Sequence, residues 1–303
     1  MSPDVSASVR ARLLDKAKAR REEFERTLTR FAAERWLYRL GVSPVRERCI
    51  LKGASLVAAW VPEPYRVTRD IDMLARGPAD EPAIRGLVET VCAVPCPEDG
   101  LTFDLSKLTL EPIRAEDEYV GTRARFVALL SNARIRVQLD FGVGDALTAT
   151  PGEIDLPTLL DTLPRPRVRA YPPEASVAEK FQAMVSLGTD NSRMKDFHDL
   201  WALSGALPFD GSSLGRAIEA CFTRRGTPLA AAGTHCLTPA FYDTPKLAER
   251  WNSYVTSSSV LVPPPSRFEA VGDRIANFIG PIWRLLADGG APTGTWPPGG
   301  PWT

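Results

Sequence analysis

The chain has 303 residues with 37 basic and 37 acidic side chains, so no overall positive field announces a polyanionic partner, and only a local patch could serve one. Its 44% hydrophobic and 24% charged content is ordinary for a globular protein with one large or two modest cores. No run approaches about 18 apolar residues, and the N-terminus is charged, which argues against a membrane span and a signal peptide.

Residues 8–40 read as one or two helices, because Leu13, Leu14, Phe24, Leu28, Phe31, Trp36 and Leu40 recur every three to four positions among charges. Gly41 and Ser43-Pro44 end that unit. An apolar stretch, Cys49–Trp60, is interrupted by Lys52-Gly53-Ala54-Ser55, and a short extended segment follows at 70–75. Residues 80–93 suit a helix. Strand-like runs come next at 108–113, 123–130 and 134–141, the last alternating between Ile135, Val137, Leu139, Phe141 and Arg134, Arg136, Gln138, Asp140. Asn132-Ala133 permits a tight hairpin. Helical patterns then occupy 177–187, 194–204, 211–224, 244–256 and 267–287. The resulting division is a helical arm (1–45), a mixed α/β core (46–170), a helical C-terminal domain (171–288) and a flexible Pro/Gly-rich tail (289–303).

The five cysteines include no CxxC pair, and the two histidines have no cysteine pair at ligand spacing. Free thiols in a reducing, cytoplasmic setting are expected, and zinc is not.

Three segments carry chemistry. In Asp70-Ile71-Asp72 the two carboxylates fall on one side of a strand, roughly 6–7 Å apart at Cα, and can share a divalent ion. Asp140 offers a third carboxylate, or else an acidic partner for Arg134 or Arg136. Hard oxygen ligands of this kind select Mg²⁺ or Mn²⁺. Fifteen residues upstream, Gly53 before a helix lets backbone N–H groups approach a phosphate, with Lys52 and Ser55 as added donors. Glu179-Lys180 and Arg193-Met-Lys195-Asp196 supply cations suited to a triphosphate, with Asp196 able to hold Lys180 or to contact the acceptor. The plainer alternative for Lys195 and Asp199 is a helical i,i+4 ion pair, and for His198 it is a packed or surface side chain.

In this order the segments resemble the AbiEii/AbiGii-type nucleotidyltransferase toxins, including MenT-type toxins of type IV toxin–antitoxin systems. The matches are Lys52-Gly53, Arg66, Asp70-Ile-Asp72, Asp140, Glu179-Lys180 with Ala183, and Arg193-x-Lys195-Asp196 with Asp199-Leu200. Thr238-Pro-Ala-Phe-Tyr242 and Trp251 are similar to the family's C-terminal helices. Ala54 departs from the family's turn, which leaves Ser55 as its side-chain donor.

The resemblance implies a polymerase-beta-type core of α+β class with a mixed sheet. It also implies Mg-dependent transfer of a nucleoside monophosphate, often a pyrimidine, from an NTP to the 3′ end of tRNA, which blocks charging and translation. Asp70 and Asp72 would hold the metal, and Asp140 would help activate the acceptor hydroxyl. Lys52, Gly53, Ser55, Arg66, Arg193 and Lys195 would bind the nucleotide, with Lys180 and Asp196 catalytic. Thr68 stands where some relatives are phosphorylated by an antitoxin. Transfer to a protein, or a degenerate module that only binds NTP or a partner, are the other readings.

Overall fold

The computed structural model describes residues 4–61, 70–114, 120–144, 151–229, 235–257 and 260–303. The elements run α1 (Val5–Ala19), α2 (Phe24–Val42), β1 (Cys49–Lys52), α3 (Gly53–Trp60), β2 (Ile71–Ala75), α4 (Glu81–Cys92), β3 (Leu101–Arg114), β4 (Val120–Leu130), β5 (Ala133–Val143), β6 (Gly152–Asp155) and β7 (Arg167–Ala170). They continue with α5 (Pro173–Leu187), α6 (Met194–Ala206), β8 (Phe209–Asp210), α7 (Gly211–Arg224), α8 (Pro239–Tyr242), α9 (Pro245–Val255), α10 (Phe268–Ala287) and β9 (Thr295–Trp296). Two compact units result, one built on the seven-stranded sheet and one on the later helices; the chain is divided between them within α3, after Ser55.

In the first unit the sheet order is β3-β4-β5-β2-β1-β7-β6. It is mixed: β2 runs parallel to β5 and antiparallel to β1, while β7 runs parallel to β1. One face takes Ile71, Met73, Ile135, Val137, Leu139 and Phe141, all buried, and α2 packs on β5 and β7. Asp80 caps α4 by accepting from Ala83 N–H at 3.1 Å. Ile84, Leu87, Val88 and Val91 then fall on its buried stripe, as a helical period requires. The β4–β5 hairpin turns on Ser131 and Asn132, one residue earlier than the sequence suggests, with Ser131 at φ 53°.

The helices of the 1–45 segment belong to this sheet-based unit. Arg39 of α2 is buried and forms a two-pronged ion pair with buried Asp99 (2.7 and 3.1 Å), and its other donors reach the carbonyls of Val94 and Leu101. Removing one partner of such a pair costs about 3–5 kcal/mol.

The second unit is organised around Phe181, Phe197, Phe222, Tyr242, Trp251, Phe268, Phe278 and Trp283, all buried. Its Pro/Gly-rich end is not a flexible tail. β9 pairs with β8 (Phe209 opposite Trp296), Trp296 is 2% exposed, and its indole N–H donates to Ser204 O at 2.8 Å. Trp302 likewise donates to Phe278 O and stacks on the Phe278 ring. Two indoles bury enough apolar area to order a segment whose composition reads as loop. Among the described residues no helix is long and apolar enough to cross a membrane.

Candidate active site

Strand β1 is buried throughout and ends at Lys52, which is 8% exposed. Gly53 follows at φ 68°, a left-handed conformation that turns the chain directly into α3. Antiparallel pairing sets Lys52 opposite Asp72, and parallel pairing sets Asp72 beside Asp140. On the next strand Arg123 lies opposite Asp140. One transverse row of the sheet thus reads Arg123, Asp140, Asp72, Lys52, on strands about 4.8 Å apart. Ile71 and Met73 point into the core, so Asp72 takes the opposite face.

The fit at Gly53 is tight. A Cβ on that residue would fall within 2.7 Å of Asp72 Cγ and 2.8 Å of its Cβ, so the carboxylate sits directly against the glycine backbone. Asp70 precedes β2, and its carbonyl accepts from Ser55 Oγ at 3.3 Å. That hydroxyl, expected to meet a phosphate, is here fixing the Asp70 backbone through a long bond that is cheap to exchange.

Asp140 pairs with neither Arg134 nor Arg136. Those residues lie on its own strand, the nearer one four positions away, about 13 Å at 3.3 Å per residue. Instead Arg123 holds both carboxylate oxygens, with Nε–Oδ1 at 2.8 Å and Nη2–Oδ2 at 2.6 Å. The hydrogen bond to Asp140, its charge and that of Asp70 raise the Arg123 pKa further above the usual guanidinium range. Arg123 was not singled out from sequence.

In the second unit, Val177, Ala178, Phe181 and Met184 bury one side of α5 and leave Lys180 at its margin. Lys180 Nζ lies 3.1 Å from Asp196 Oδ1 and 2.6 Å from Asp199 Oδ2. Both aspartates are buried on α6. Asp199 therefore pairs with Lys180, where the sequence alternative offered Lys195. Arg193 Nε stands 2.8 Å from Asp196 Oδ2 as an ion pair without hydrogen-bond alignment. Arg193 and Lys195 line an open groove of about 700 Å³, with Lys246, Arg250 and Tyr254 of α9. The α9 cations were not anticipated from sequence. His198 is buried and bonded through Nδ1 to Tyr254 Oη at 2.9 Å, a packing role. Arg66 and Thr68 lie outside the described residues.

Among the described residues, no group of three or more His, Cys, Asp or Glu is arranged to hold a metal ion alone. The donor set still fits Mg²⁺, which is commonly held by one or two carboxylates plus substrate phosphates. Asp70 and Asp72 would supply the carboxylates, and the missing Cβ of Gly53 is what admits the Asp72 carboxylate against the turn.

The family model of the nucleotidyl transferase AbiEii toxin, type IV toxin–antitoxin system, matches residues 35–274. Among solved structures, JHP933 from Helicobacter pylori is similar at 13% identity and a TM-score of 0.45, covering 84% of this chain and 88% of that one. A second H. pylori structure, described as a putative nucleotidyltransferase, is similar at 14% identity and a TM-score of 0.44, covering 84% and 91%. No curated protein matches.

Proposed function

The chain belongs to the AbiEii family of nucleotidyltransferase toxins of type IV toxin–antitoxin systems, and on that premise we propose that it transfers a nucleoside monophosphate from an NTP, by preference a pyrimidine, to the 3′ end of tRNA. The observation that carries this reading is the placement of Asp72. It lies against the Gly53 backbone, in one sheet row with Lys52 and Asp140. A phosphate-approach turn and a metal-binding carboxylate are the two parts a nucleotidyl transfer needs side by side.

Asp70 and Asp72 would hold Mg²⁺ or Mn²⁺, which when bound neutralises phosphate charge and lowers the pKa of a coordinated hydroxyl. Lys52 and the Gly53 backbone offer donors to the triphosphate, and Ser55 reaches it by releasing the Asp70 carbonyl. Asp140 is the base for the acceptor hydroxyl, and Arg123 orients it until the acceptor arrives. Within the second unit Asp196 and Asp199 fix Lys180, to which the family resemblance gives the role of meeting charge on the leaving pyrophosphate. Arg193 and Lys195 add cations for the nucleotide.

Membership of this toxin family implies a cognate antitoxin as partner. Phosphorylation of Thr68, two residues before Asp70, would place about −2 charge beside the carboxylates and repel the triphosphate.

Incubation with each labelled NTP, Mg²⁺ and total tRNA, followed by mass analysis of the 3′ ends, tests the reading. Added nucleotide on tRNA that disappears in Asp72→Ala supports it. Label on protein with RNA unmarked would replace the acceptor, and no transfer to either would leave a binding module.

A further inference from the structure

The sheet face that carries the row Arg123–Asp140–Asp72–Lys52 continues along β4 and β5 away from those carboxylates. Helices α1, α2 and α4 pack on the first unit's strands, and the buried apolar members of β4 and β5 include Ala124, Phe126, Ala128, Ile135, Val137 and Leu139. The alternate positions form the other face, in successive cross-strand pairs: Arg125 with Gln138, Val127 with Arg136, and Leu129 with Arg134. Each pair lies about 6.6 Å further along the strands than the last. That step is comparable with the phosphate repeat of a nucleic-acid strand.

Three arginines thus occur one per step, beginning beside Arg123. Arg125, Arg134 and Arg136 are all exposed, and Val127 and Leu129 are half-buried between them. The acids on this face are engaged at its margin. Glu111 pairs with Arg125 at 2.6 Å and Asp104 with Arg134 at 3.4 Å. Both pairs are solvent-exposed, so a phosphate can take the guanidinium from the carboxylate at little cost. Guanidinium forks match phosphate oxygens and stack on bases, while the valine and leucine give ribose or base an apolar footing.

The geometry points to this arginine ladder as the track of the acceptor RNA: the backbone of an RNA strand lies along β4 and β5 over Arg125, Arg136 and Arg134, with its end toward Asp140. A polyanion is the occupant the charge pattern favours, because the exposed cations outnumber the acids and are spaced along a line. The inference rests on the RNA-acceptor reading and adds the surface that reading lacks. It also explains how a chain with no net charge can engage RNA, through a local stripe.

The test measures binding of labelled tRNA by the full chain without NTP, across a salt series. Arg134→Glu/Arg136→Glu should weaken binding roughly tenfold or more and flatten the salt slope by about one per lost phosphate contact. Arg134→Lys/Arg136→Lys should retain most of the affinity. Arg85→Glu on α4 controls for charge reversal elsewhere, and unchanged circular dichroism and melting confirm the fold. Unchanged affinity and slope in the double reversal overturns the ladder and leaves the transfer reading standing. Wild-type protein that binds no tRNA overturns both. Protein labelled in place of RNA, with the reversals lowering that labelling, makes a protein the occupant and overturns the RNA assignment.

Discussion

The Asp72 carboxylate occupies space that any side chain at position 53 would need: a Cβ on Gly53 would come within 2.7 Å of Asp72 Cγ. Gly53 is also left-handed, at φ 68°. Gly53→Ala therefore carries two separable effects. The backbone strain costs roughly 1–2 kcal/mol, a small downward shift in melting temperature. Displacement of Asp72 by even an ångström should lower nucleotidyl transfer by about 100-fold. Transfer and melting measured on the same preparation check this. Near wild-type transfer in Gly53→Ala would remove Asp72 from the reaction centre.

Arg123 and Asp140 make the next prediction. Arg123→Gln removes a guanidinium that stays protonated at every working pH, since Asp140 and Asp70 raise its pKa. Asp140 then stands beside Asp72 without its partner. The local field becomes more negative, so nucleotide-free protein should bind Mn²⁺ on the order of tenfold more tightly, while transfer falls. Titration calorimetry with Mn²⁺ reads the first effect. Weaker Mn²⁺ binding in Arg123→Gln would count against Asp140 lying within the metal's field.

Strand β5 was legible because its apolar and polar residues alternate without a break, and in Ile71-Asp72-Met73 the same alternation turns Asp72 away from the core. Arg123 was not, because its meeting with Asp140 depends on the register that the Ser131-Asn132 turn imposes. One residue of slip would send Arg123 to the other face. Only residues 108–113 of the fourteen-residue β3 carry a strand pattern in the sequence. Asp104, Ser106 and Lys107 interrupt its pattern where the register shifts between Asp104 and Thr109. Lys180 with Asp199 was hidden for another reason: the pairing depends on how α5 packs on α6, whereas helical spacing along α6 suggested Lys195. The ordered C-terminal end had a signal in Trp296 and Trp302, two large apolar side chains that Pro/Gly content outweighed.

Lys180 raises a question that a single substitution leaves ambiguous. Its ammonium lies between two buried carboxylates, so Lys180→Met removes a buried cation from Asp199 and leaves Asp196 with Arg193, which should cost about 3–5 kcal/mol. Lost activity could then reflect lost fold. Adding Asp199→Asn removes the buried negative charge that Lys180 offset and should restore part of the stability in a denaturant melt. A lysine that acts on the pyrophosphate predicts that transfer stays down by at least about 100-fold in the double variant. Recovery of transfer in parallel with stability would make Lys180 a structural residue.

The thiols give a prediction independent of the reaction. All five cysteines are free. Burial pushes Cys49, Cys92, Cys96 and Cys236 up to about 12, and for Cys96 the neighbouring Asp99 and Glu98 add to the effect. The thiolate is the reactive form, so near pH 8 these four should resist a disulfide reagent in the native protein. All five should titrate in denaturant. The same shifts set a sign for stability. A thiol whose folded pKa exceeds its unfolded value near 9 holds its proton more tightly in the native state. The native state is thus not penalised below pH 9 and loses stability as pH rises from 9 toward 12. Melting temperature should fall through that window, and more gently in Cys49→Ala once its neutral-pH baseline is subtracted. Several fast-reacting thiols in folded protein at pH 8 would contradict the burial that this argument depends on.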